Sequence, residues 1–163
     1  MTRASKLFLT AILLAPILAL AQTPQKSFDG LSCQSNIEQE LQGRQMPNEP
    51  VSNTEARYKS LGLKDNGADE IRDQLNAVIW RICGDQYVLL QKKDRVQAVL
   101  KVPQQYRNSG DLINCVAQDK AKLGYYLAVP AKGRPGSAQA AWMLDEKNLK
   151  FVAADPAKLE CER

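Results

Sequence analysis

Four cysteines, Cys33, Cys83, Cys115 and Cys161, stand far apart, so any bond between them closes a loop of tens of residues. What they do depends on where the chain works, and residues 1–21 bear on that. Arg3 and Lys6 precede an apolar run from Leu7 to Leu20, and Ala19-Leu20-Ala21 has the A-x-A form of a cleavage site before Gln22. The run is interrupted by Pro16 and is shorter than the ~20 residues needed to cross hydrocarbon. Residues 1–21 therefore read as a cleaved secretory signal peptide. With no cysteine at the cleavage point and no twin arginine, simple export of an unlipidated chain is expected. An even cysteine count in an exported chain implies two disulfides. No pair has zinc-type C-x₂₋₄-C spacing, and redox C-x-x-C is absent. Of three possible connectivities, Cys83–Cys115 with Cys33–Cys161 is expected, the second bond tying the two ends together.

Residues 22–163 suffice for one core and are expected to form a single globular domain. The leader holds two of the 22 basic residues and none of the 18 acidic ones, so the net charge of +4 falls to +2 on cleavage. A chain so near neutrality, and exported, is not expected to bind nucleic acid. Its expected address is the periplasm or the medium, with no membrane span in the mature chain. The charge is uneven: residues 22–78 carry a net −3 and residues 79–163 a net +5.

Cys33, Ile37 and Leu41 recur every four residues, which predicts a short helix with Ser32 as N-cap. Two prolines make 43–53 a loop. The main helix is expected over Asn66 to Cys83: Asn66 can cap it, Asp69 and Glu70 suit its first turn, and Gly84 follows. Ala68, Ile71, Leu75, Val78, Ile79 and Ile82 form its apolar stripe. A strand from Val78 onward competes, because Val-Ile-Trp-Arg-Ile-Cys is rich in β-formers. Beyond Gly84 the period falls to two, and three hairpins are expected. They turn at Lys92 to Arg95, at Asp119 to Gly124 and at Asp145 to Asn148. The expected fold class is α+β: an antiparallel β-meander of about six strands packed against one main helix, with two disulfides.

The chain contains no histidine, which excludes Ser-His-Asp and Cys-His catalysis and the common His-based zinc sites. Phosphate-loop, dinucleotide and nucleophile-elbow motifs are absent from residues 22–163. The run Asp65-Asn66-Gly67-Ala68-Asp69 resembles a fragment of a calcium loop, but Asn76 stands where the closing glutamate belongs. No cofactor, no metal and no catalytic residue is expected. Trp142 and Phe151 are expected in the core, with Trp80 at the edge of the helical stripe. One of Tyr125 and Tyr126 is expected to be exposed beside Lys120 and Lys122, since neighbours on a strand face opposite ways.

The positive feature is two basic loops, Lys92-Lys93-Asp94-Arg95 and Lys132-Gly133-Arg134-Pro135-Gly136. Lys92, Lys93, Arg95, Lys132 and Arg134 are the candidate partner-binding residues. They suit a non-catalytic binding or inhibitor protein that meets an unknown protein or acidic envelope partner. Two rival readings stand beside it. One is a carboxylate-dependent hydrolase using Asp69 or Asp73, which needs two acids across a cleft. The other is an envelope structural protein working through an exposed sheet edge. The layout is similar to that of small periplasmic lysozyme inhibitors in compartment, size and disulfide use only, and no residue role follows from this.

Overall fold

The structure, a computed structural model, describes residues 27–119 and 123–162. The leader and Lys120 and Lys122 lie outside the described residues. Among the described residues nine strands form two antiparallel sheets. Sheet A is a meander of β1 (Lys64–Arg72), β2 (Leu75–Ile82), β3 (Asp85–Lys92) and β4 (Arg95–Lys101). Sheet B comprises β5 (Ile113–Ala117), β6 (Tyr126–Pro130), β7 (Ala138–Asp145), β8 (Lys150–Ala154) and β9 (Leu159–Cys161), in the order β8-β7-β6-β5-β9. Two short helices, α1 (Ile37–Leu41) and α2 (Val51–Arg57), precede the sheets. The strands of all three expected hairpins pair, as β3–β4, β5–β6 and β7–β8, and residues 120–122 of the Asp119 to Gly124 turn lie outside the described residues.

The helix expected over Asn66 to Cys83 is instead the β1–β2 hairpin. Asp73 and Gln74 make its two-residue turn with φ of 41° and 62°, the left-handed geometry that matches strand twist. The misleading stripe has a physical origin. The two central strands of sheet A, β2 and β3, are buried on both faces, so β2 carries apolar residues in both registers. Leu75, Ala77 and Ile79 face sheet B, while Val78, Trp80 and Ile82 face the helical layer. Two superposed β patterns interrupted by a turn imitate a helical period. Strands buried on both sides lose clean alternation, and the β-formers from Val78 onward were the truer signal.

The helical layer is smaller than expected. Asn36, not Ser32, caps α1, accepting from the Gln39 N–H at 3.3 Å. α2 begins inside the segment expected to be a loop. Ile37, Leu41, Tyr58 and Leu61 close over Trp80, Ile82, Tyr87 and Leu89. Trp80 is buried edge-on against Phe28, their ring centroids 5.5 Å apart. A second core lies between the sheets, where Leu75, Ala77, Ile79, Val88 and Leu90 meet Leu127, Leu144 and Phe151. Phe151 and Trp142, both expected in the core, are each half-buried, and Phe151 packs against the core between the sheets.

The disulfides form with a different connectivity. Cys33 pairs with Cys83 and Cys115 with Cys161. Each bond joins the next cysteine along the chain. The first ties the segment before α1 to the β2–β3 turn, and the second links register partners on β5 and β9. Sequence spacing carries no information on which strands become neighbours, so the choice among three pairings was made by the sheet.

Candidate functional site

The β3–β4 tip is a two-residue turn, Lys93-Asp94, closed by the pair Lys92 and Arg95. Lys92, Lys93 and Arg95 are exposed. The turn backbone is held from two sides. The Lys93 N–H donates to the Gln74 carbonyl at 3.0 Å, and the Met46 N–H donates to the Asp94 carbonyl at 2.7 Å. The acid within the turn is occupied: Gln45 Nε2 donates to Asp94 Oδ2 at 2.7 Å. Arg95 donates to the Gly43 carbonyl at 3.2 Å. Residues 43–46 therefore run beside β4 and stiffen the tip, on which both lysines stay exposed.

The second basic loop lies elsewhere. The β7–β8 turn sits at the same end as the basic tip, because Glu146 pairs with Arg72 and Leu144 packs with Leu75 and Leu90. The β6–β7 turn, which carries Lys132 and Arg134, is at the other end of β7. Eight residues of strand separate the ends by about 23 Å. Lys92, Lys93 and Arg95 form one group and Lys132 and Arg134 another, so the five do not make one patch.

That other end also carries an ion network. Asp85 accepts from Lys101 at 2.9 Å and from Arg107 Nε at 2.7 Å, while Lys101 lies 5.6 Å from the Tyr87 ring centroid. Burial alone would raise the Asp85 carboxyl. The hydrogen bonds and charges of Lys101 and Arg107 outweigh it and hold the group below its ordinary value. This network joins β3, β4 and the segment that follows β4.

Asp69 and Asp73, the acids of the hydrolase reading, separate on the hairpin. Asp73 is in the β1–β2 turn. Asp69 lines an open cleft of about 560 Å³ between β1 and sheet B, with Glu70, Tyr125 and Glu146 among the other walls. Tyr125 Oη donates to Asp69 Oδ2 at 2.7 Å. Burial first, then this bond and the carboxylate charge, push the Tyr125 phenol far above its ordinary value. Glu146 is occupied by Arg72. Tyr126 faces the outer side of sheet B and is buried, and Tyr125 faces inward and is half-buried, so neither is the exposed tyrosine that was expected. The contact between Asp69 and Tyr125 spans 56 residues and has no local sequence signature.

The calcium-like run lies on β1, where the Gly67 N–H donates to Asp65 Oδ1 at 3.1 Å. Among the described residues no helix is long and apolar enough to cross a membrane. Comparison of the chain with protein-family models, curated proteins and solved structures finds no match.

Proposed function

We propose that this chain is an exported, disulfide-braced binding protein that acts without catalysis and meets an acidic partner through the β3–β4 tip. The observation that carries the reading is the tip itself: three exposed basic side chains on a turn whose backbone and whose acid are already engaged within the protein. A preorganised contact loses little conformational entropy on binding. Export is supported by the leader and by the two bridges. Lys132 and Arg134, about a strand's length away, would serve a separate contact.

The hydrolase reading is weaker because Asp69 is engaged by Tyr125 and Asp73 sits in a turn. The structural reading asked for a hydrophobic open edge. The open edge of sheet A is β1, which carries Lys64, Asp65, Asp69, Glu70 and Arg72.

The test is capture from envelope extract by the exported protein and by two charge-reversed forms. Lys92→Glu with Lys93→Glu and Arg95→Glu should lose a partner that the wild type retains. Lys132→Glu with Arg134→Glu should keep it. Identical capture by all three proteins would end the reading.

A further inference from the structure

Sheet B has five strands and sheet A four, and the mismatch falls at one side. β4 and β8 meet at the opposite side, where residues 43–46 also cover the β4 edge. On the β1 side, no described strand pairs with the outer edge of β1, while β5 and β9 extend sheet B past it.

The residues beneath this vacant lane follow from strand alternation. Cys115, Leu159 and Cys161 pack on the outer face of sheet B. Asn114 and Val116 on β5, and Glu160 on β9, therefore face the lane. Val116 is paired with Glu160 across the strands and is 62% exposed. A β-branched residue on the inner face of a sandwich is ordinarily covered by the opposing sheet. Among the described residues no strand of sheet A lies opposite it. Glu162, just past β9, donates its N–H to the Asn114 carbonyl at 3.0 Å and extends the acidic side of the lane. Glu70, Glu160 and Glu162 are exposed, and Arg72, the cation of the β1 wall, is occupied by Glu146.

We infer that the lane beside β1 is a docking site for an extended peptide that carries apolar and basic side chains two residues apart, on one face, and adds to sheet A as a fifth strand. Main-chain bonds to the open edge would supply affinity, and alternate side chains would supply selectivity. Val116 and Glu160 share the lane's face, so on the inward face of the peptide an apolar side chain would cover Val116 and a basic one two residues away would meet Glu160 and Glu162. A second copy of the chain fits less well, because its β1 would bring Asp69 and Glu70 against the same acids. The site is separate from the basic tip and does not rest on its role.

The probe is a fluorescein-labelled peptide of about ten residues in which valine and lysine alternate along one face and threonine fills the other. Anisotropy should show binding to the full exported protein, and the same peptide with glutamate for lysine should not bind. Amide exchange should show new protection within Ala68 to Arg72. Glu160→Lys with Glu162→Lys should weaken binding about tenfold, as expected for two reversed surface charges. Lys92→Glu with Lys93→Glu should leave it intact or strengthen it. Both glutamates are exposed, so unchanged thermal melting confirms that the variants fold, and Val116→Ala gives a second, uncharged test. No binding by the wild type would overturn the inference. So would equal binding by the Glu160/Glu162 variant, equal binding of the acidic peptide, or protection confined to other strands. Sedimentation showing a dimer whose interface protects β1 would assign the lane to a second copy instead.

Discussion

Tyr125 and Asp69 join the two sheets through one hydrogen bond of 2.7 Å, from the residue before β6 to the middle of β1. The bond closes the inner end of the cleft and uses the neutral phenol. Tyr125→Phe should cost about 1.5 kcal/mol, the usual loss for a hydrogen bond to a charged group, and denaturant titration reads it. The folded phenol titrates above its unfolded value near pH 10. The bond's contribution is therefore fully present below about pH 10 and is lost as pH rises beyond it. Tyr125→Phe should show a smaller alkaline loss of stability than the wild type.

Asp85 gives the opposite pH behaviour. Its folded carboxyl lies below the ordinary value because Lys101 and Arg107 overcome the effect of burial. Its contribution is present above about pH 4, the unfolded value, and fades as pH falls through the lower folded one. Asp85→Asn should lower stability by about 1–2 kcal/mol at neutral pH and flatten the acid limb. Equal acid limbs in the two proteins would show that the network contributes nothing.

The β1–β2 turn holds two non-glycine residues, Asp73 and Gln74, at positive φ. Asp73→Asn with Gln74→Gly matches the Asn-Gly preference of such turns and should raise stability by about 0.5–1 kcal/mol. A helix over the same residues would instead be weakened by the glycine, so the sign of the change discriminates between the two conformations.

The two disulfides close separate parts of the chain. Each closed loop of about 50 residues corresponds to about 4 kcal/mol in the chain-entropy model. Cys33→Ala with Cys83→Ala should loosen the helical layer over sheet A, and Cys115→Ala with Cys161→Ala should fray β9. Hydrogen exchange should show two distinct sets of exposed amides. Peptide mapping that recovered a Cys83–Cys115 bond would contradict the fold itself.

The three hairpins beyond Gly84 were legible because short turns and two-residue periodicity are local properties. β7–β8 is the plainest case: Leu144 and Phe151 alternate inward and a tight turn joins their strands. The Asn66–Cys83 segment was misread for a non-local reason. Which face of β2 is buried depends on layers supplied by residues far along the chain, and both faces are buried. The basic residues were legible as types, but their separation into two groups depends on which end of β7 each turn occupies. Val116 reads from sequence as an ordinary strand residue, and only the unequal strand numbers of the two sheets leave it uncovered.

By itself, the sequence determined the antiparallel β character of the C-terminal half, the capacity for two disulfides and the absence of histidine chemistry. Those properties follow from residue type and from spacing over a few positions. Tertiary structure alone decided the cysteine partners, the Tyr125–Asp69 contact, the division of the basic loops and the open lane beside β1. Each of these rests on two segments brought together from tens of residues apart. Strand pairing and sheet stacking select those meetings through burial and backbone hydrogen bonding, and neither is encoded within any one window of the chain.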